Sequence, residues 1–225
     1  VQAPAGLLLT GCEGIVFDDC DFTNIGTAGI KIKSDGDKLS DGNQIINSRF
    51  HDIGYSAIIL GQVSGHHGYQ SYMLVKNTTI KNNYITRVGL ENRDSPGIIA
   101  TYTSGTVIEH NEVAYCPYTG ISTGWGWDSE ESNGNQAFLD EVGNNKVIYN
   151  YVHDTGKNNR DGGSIYNLGS SKGSEVAYNY IINSWDGDDV YENGLYLDQG
   201  SAHIEVHHNV VGENVGYWMH QWMYT

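Results

Sequence analysis

Two aspartates carry the most specific chemistry in this sequence. Asp161 stands immediately before Gly162-Gly163, and Asp198 immediately after the run Leu195-Tyr196-Leu197. A pair of carboxyl groups can break a glycosidic bond: one protonates the leaving oxygen, and the other activates water or attacks carbon. Such a pair must face one groove, with flat aromatic rings nearby to meet the C–H faces of pyranoses. Trp125, Trp127, Tyr166, Trp185 and Tyr196 are the substrate-binding candidates. His153 is the auxiliary catalytic candidate, because it lies close in sequence to Asp161. The plain alternatives are that both aspartates are turn residues and that the rings fill an interior, Tyr196 packing on Tyr166.

Other polar groups compete less well. Asp128, Glu130 and Glu131 follow the tryptophans, and Asp186, Asp188, Asp189 and Glu192 crowd one loop. That second group could offer oxygens to calcium, but it lacks a ligand-loop spacing, so a solvated acidic loop is expected. His66-His67 and His207-His208 are adjacent pairs, and neighbours on a strand point to opposite faces, so neither should chelate. No metal and no cofactor is expected. Neither a Gly-x-Ser-x-Gly elbow nor a phosphate loop is present.

The elements that must position these groups are visible as a repeat. An apolar residue, two variable positions, an Asn-like residue, one variable position and an apolar residue recur. The series runs Phe17-Cys20-Phe22, Ile45-Ser48-Phe50, Ile80-Asn83-Ile85, Ile108-Asn111-Val113, Val147-Asn150-Val152, Val176-Asn179-Ile181 and Val206-Asn209-Val211. Central positions lie 28 to 39 residues apart, a solenoid spacing. A small residue followed by an apolar one trails the first six: Gly29-Ile30, Ala57-Ile58, Gly97-Ile98, Gly120-Ile121, Ser164-Ile165 and Gly194-Leu195. The pattern predicts an all-β, right-handed parallel β-helix of about seven coils, with residues 1–225 as one domain. The asparagines should form an internal ladder, entering the left-handed region themselves. Extra length should collect in one loop region, through residues 61–76, 124–143 and 155–160. Residues 1–10 are expected to form a partial cap.

Composition narrows the function classes. Gly (29) and Tyr (16) are abundant and Pro (3) is scarce, which suits short strands and tight turns. A net charge of −15 repels phosphate backbones, so nucleic acid is not an expected partner. No stretch is apolar enough for a membrane span. Cys12, Cys20 and Cys116 have no zinc spacing and are expected as buried free thiols. The chain starts on Val1 and finishes on an aromatic stretch, which predicts a processed chain or a piece of something longer, continuing past Thr225.

Gly120-Ile121-Ser122-Thr123-Gly124-Trp125-Gly126-Trp127, Asp161-Gly162-Gly163-Ser164-Ile165-Tyr166 and Gly194-Leu195-Tyr196-Leu197-Asp198, set in the ladder register, resemble β-helix carbohydrate-active proteins. The closest likeness is to glycoside hydrolase family 141. That resemblance implies hydrolysis of plant-type glycans, including fucosidase and xylanase activities, with Asp161 and Asp198 as the catalytic carboxylates. It also implies a secreted, periplasmic or cell-surface protein whose partner is an oligosaccharide or polysaccharide. Family members are usually longer, with further domains closing the site. The expected function is a glycoside hydrolase on a neutral or weakly charged glycan. A polysaccharide lyase or uronate epimerase is the alternative within enzymes. It would need cations in the groove, where only Lys157, Arg160 and Lys172 are near. A non-catalytic carbohydrate-binding or adhesin module is the third reading.

Overall fold

The computed structural model describes residues 4–62, 68–127, 134–159, 161–184 and 192–222. Its strands pair in parallel throughout the sheets, and each pairs with its counterpart one turn of chain away. One sheet has eight strands, from Ala5–Thr10 through Gly162–Leu168 and Glu192–Asp198 to Tyr217–Gln221. A second sheet runs from Val16–Asp18 to Ile204–His207, and a third from Asp21–Ile25 to Val210–Val211, with seven strands each. A short fourth sheet joins Ser40–Asp41, Val75–Lys76 and Thr103–Ser104. The chain visits the large sheets in the same order at each turn, which is a parallel β-helix. The first sheet will be called the long-strand face.

Both sequence registers are pairing registers. Phe17 pairs with Ile45, Ile45 with Ile80, Ile80 with Ile108, and so on to Val176 with Val206. On the long-strand face Ile30, Ile58, Ile98, Ile121, Ile165 and Leu195 are successive partners. They are 0 to 3% exposed and form one continuous apolar column inside the coil. Each such side chain contributes about 1.5–3 kcal/mol when removed from water.

The asparagine ladder runs through the corner between the second and third sheets. Nδ2 of Asn83 donates to Oδ1 of Asn111 at 2.9 Å, Asn111 to Asn150 at 3.0 Å, Asn150 to Asn179 at 3.0 Å and Asn179 to Asn209 at 2.9 Å. Each amide also donates to a strand carbonyl of the coil before, as Asn150 does to Ile108. The left-handed residue is the one before each ladder position, a correction to the sequence expectation. Asp19, Asn47, Asn82, His110, Tyr149, Tyr178 and His208 all have φ between 52° and 58°. The reason is division of labour: the corner needs one left-handed residue facing out, so that the next amide can point in and span two coils. The outward rings stack, with His110 on Tyr149 at 5.1 Å, Tyr149 on Tyr178 at 4.8 Å and Tyr178 on His208 at 5.0 Å.

Three further expectations change. Residues 5–10 are a paired strand of the long-strand face rather than a cap, since Leu7 aligns with Ile30. Extra length collects in two places: residues 61–76 and 124–143 follow long-strand positions, whereas residues 155–160 follow the third sheet. His207 and His208 do meet, with Nδ1 atoms 2.7 Å apart, because His208 leaves the strand at φ 52°. The described part of the 124–143 insertion contains a helix, Gln136–Glu141, capped by the Asn135 side chain. Phe138 packs with Tyr69 and Tyr102 in a small satellite core. The three cysteines are free; Cys116 is buried, Cys12 and Cys20 partly so.

Candidate functional site

Two neighbouring strands of the long-strand face, Gly162–Leu168 and Glu192–Asp198, set the site. They pair over their whole length, Tyr166 against Tyr196 and Leu168 against Asp198. Asp198 thus occupies a column that is Gly124 and Leu168 in the two coils before it. Alternation along the strand places Tyr196 and Asp198 outward while Leu195 and Leu197 point toward the interior.

Asp198 is held at both oxygens. Tyr166 donates its hydroxyl to Oδ2 at 2.5 Å, and the Gln199 backbone N–H donates to Oδ1 at 2.7 Å. Asp161 is exposed and sits at φ 62°, a left-handed conformation that aspartate tolerates better than most residues. The Tyr196 hydroxyl donates to Oδ1 of Asp161 at 3.3 Å, and the charge of Asp198 is also close enough to act on it. The two paired tyrosines thus each hold one acid, Tyr166 bonding Asp198 and Tyr196 bonding Asp161, although the residues aligned with the acids are seven positions apart. Tyr118 adds a third hydroxyl by donating to the Asp161 carbonyl at 3.0 Å.

The phenols are donors, not bases. Burial first, and then the Asp198 carboxylate, push Tyr166 far above the usual phenol range. Tyr196 is raised by burial and by both aspartates. Burial and Asp161 push Tyr118 up to about 12. A phenol kept protonated can fix a carboxylate's orientation without competing for its proton.

The glycines beside Asp161 serve packing within the protein. A Cβ on Gly162 would lie 2.6 Å from the Tyr118 ring, and one on Gly163 2.9 Å from Cβ of Tyr196. The bare backbone makes room for the protein's own tyrosines rather than for a ligand. The Gly between the tryptophans is explained similarly. A Cβ on Gly126 would meet Cζ of Phe138 at 2.0 Å, and the Gly126 N–H donates to the Leu168 carbonyl at 2.8 Å.

That clamp brings both tryptophans to the site. Trp125 and Trp127 pack against the cluster of Tyr166, Leu168 and Tyr196. Their rings meet edge to face at 5.5 Å, and Nε1 of Trp125 donates to Oγ of Ser122 at 2.9 Å. Tyr166 and Tyr196 also meet edge to face, at 5.3 Å, rather than stacking. Asp161, Asp198, Tyr166, Tyr196, Trp125 and Trp127 thus form one connected group.

Trp185, Asp128, Glu130, Glu131, Asp186, Asp188, Asp189, Arg160 and His66-His67 lie outside the described residues. His153 is set apart on the third sheet, where it bonds Asp154 at 2.8 Å and Glu112 at 3.3 Å and stacks on Tyr151 at 4.3 Å. Those contacts account for both ring nitrogens and leave it a structural role there.

Two members escaped the sequence reading. Tyr118 has no repeat to mark it, and only its neighbours Gly120-Ile121 carry a register. His220 stacks on Tyr196 at 4.7 Å and is its paired residue on the next strand; extending the outward column one coil would have found it. Among the described residues no group of three or more His, Cys, Asp or Glu could hold a metal ion. No helix among them is long and apolar enough to cross a membrane.

Comparison with known proteins agrees with the architecture. The pattern of the family described as "Right handed beta helix region" matches residues 5–223. A solved structure titled "Glycoside hydrolase" is similar at 26% identity and a TM-score of 0.77, over 98% of this chain and 38% of that one. The chain thus spans well under half the length of that hydrolase. The mannuronan C-5 epimerase AlgE6 A-module of Azotobacter vinelandii matches at 10% identity and a TM-score of 0.46, over 96% of this chain and 54% of that one. No curated protein matches.

Proposed function

Because the chain belongs to the right-handed β-helix family, whose stacked coils bring distant residues onto one face, we propose that it forms the catalytic face of a carbohydrate-active enzyme. The reaction is hydrolysis of a glycosidic bond in a neutral or weakly charged glycan. The observation that carries this reading is the pair of adjacent tyrosines that bond the two acids, Tyr166 to Asp198 and Tyr196 to Asp161, beside a wall of tryptophan. The likeness to a solved glycoside hydrolase supports it.

The hydrogen bonds divide the labour. Asp198, gripped at both oxygens, is the carboxylate that attacks carbon or activates water. Asp161, more exposed and bound through one oxygen, delivers the proton to the leaving oxygen and is free to exchange it with solvent. Tyr166 and Tyr196 are positioning residues that orient the two acids, and the tryptophans bind the sugar ring. An enzyme of this kind works outside the cell or in the periplasm.

The test uses xylan, fucosylated oligosaccharides and pectin, with reducing ends and ultraviolet absorbance followed in parallel. New reducing ends without absorbance are expected, with loss of about 10³-fold or more in Asp198→Asn and Asp161→Asn. Ultraviolet-absorbing products would show a lyase instead. Unchanged hydrolysis in Asp198→Asn would remove that residue from the mechanism.

A further inference from the structure

On the side of the molecule where the chain enters the Asp161 strand lies a cleft of about 270 Å³ that the hydrolytic chemistry does not use. It opens between residues 88–93 and 154–158, the loops that lead from the third sheet to the long-strand face. We propose that this cleft is a subsite for a sugar residue bearing a carboxylate, a uronic acid branch on the glycan chain. The proposal rests on the hydrolase reading and names a determinant of its substrate.

The walls are built rather than incidental. The N–H groups of Asn158 and Asn159 donate to the Pro117 carbonyl at 3.1 and 3.2 Å, and Nδ2 of Asn159 donates to the Arg93 carbonyl at 3.0 Å. These bonds tie the two loops to each other and to the strand end between them. The volume falls below the roughly 300–1,000 Å³ of drug-sized pockets and suits one monosaccharide. Leu90 and Tyr115, each 55% exposed, offer apolar surface at the mouth. Tyr115 is held out by its left-handed backbone, φ 52°.

Charge selects the ligand. Asp154, the lining carboxylate, is already bound by Lys157 and His153. Arg93 lines the same cleft and is in no ion pair with a carboxylate among the described residues. In a chain of net charge −15 the lining itself holds two cations, Arg93 and Lys157, against the one acid Asp154. A guanidinium fork matches a carboxylate in two parallel hydrogen bonds. The cleft also adjoins the reacting groups: Pro117 lines it, and the next residue, Tyr118, bonds the Asp161 carbonyl. A branch seated there would leave the main chain across the two aspartates.

The experiment is calorimetric titration of the Asp198→Asn protein with a glucuronate-branched xylo-oligosaccharide and with its methyl ester. The ester keeps the size and removes the charge. The free acid is expected to bind at least about tenfold more tightly. Arg93→Gln in the same background should abolish that preference while leaving the circular dichroism unchanged. Equal affinity for acid and ester, or a preference that survives Arg93→Gln, would overturn the subsite and leave the hydrolase reading standing. Failure of both oligosaccharides to bind would overturn the subsite, and the three-glycan assay then decides the hydrolase reading separately.

Discussion

Replacing Asn150 by Ala cuts the ladder immediately before the strand that follows Asp161. The side-chain Oδ1 accepts from the backbone N–H and from Nδ2 of Asn111, both at 3.0 Å. Its Nδ2 donates to the Ile108 carbonyl at 2.9 Å and to Oδ1 of Asn179 at 3.0 Å. All four bonds vanish in Asn150→Ala; the bonds from Asn150 N–H to Oδ1 of Asn179 and from Tyr180 N–H to the Asn150 carbonyl survive. The orphaned groups stay dry, because Asn111, Asn150 and Asn179 are each 1% exposed. At about 1 kcal/mol net per bond, with the Asn111 N–H left unsatisfied, the loss comes to about 3–5 kcal/mol. A whole domain holds about 5–15 kcal/mol, so the variant should be marginal. Urea unfolding followed by far-ultraviolet circular dichroism measures it. Asn82→Gly is the control: its exposed amide bonds Asn47 at 2.8 Å, water can replace that bond, and glycine accepts φ 54° without strain. It should move stability by no more than about 0.5 kcal/mol. An Asn150→Ala loss below about 1 kcal/mol, or equal losses in the two variants, would refute the ladder as a main source of stability.

Gly126→Ala should cost about 1–3 kcal/mol by overpacking, since its Cβ would fall 2.0 Å from the buried Phe138 ring. Tryptophan fluorescence should shift with it because Trp125 and Trp127 flank the position, and an unchanged urea midpoint would contradict the clamp. Burial alone would raise the Asp154 carboxyl, but hydrogen bonds from His153 and Lys157 outweigh it and hold the group below its usual range. Its contribution is therefore present above the unfolded value of about 3.9 and lost as pH falls through the lower folded value. The Tm gap between wild type and Asp154→Asn should be widest near pH 7 and close below about pH 4; a constant gap would contradict the linkage.

The fold was legible because each coil must satisfy the same two demands. The interior column Ile45, Ile80, Ile108 and Val147 and the amides beside it recur wherever a coil crosses that corner. The left-handed position was misassigned because amide and bend are adjacent, and Asn47 and Asn82 place the same residue type at the bend. Tyr149 and Tyr178, poor left-handed formers by type, show that the corner is fixed by the ladder rather than by local preference. The site was half legible. Asp198 stood out by breaking the Leu168 column, and Tyr166 and Tyr196 by sharing a register. Tyr118 did not, since a residue used once leaves no periodic trace. The purpose of Gly162-Gly163 was hidden because the rings that occupy the space come from residues 118 and 196.

The arrangement of amides and rings gives the molecule a grain. Covalent bonds run around the circumference, while cohesion lengthwise comes from the sheet ladders, the amide spine and the coin-like pile from His110 to His208. A nick in a peripheral insertion should therefore leave the rod intact, whereas tension along the rod should part it between layers. Asp161 and Asp198 belong to adjoining layers, so lengthwise strain reaches the gap between them. A bound polymer chain pulled along the rod would act on that gap directly.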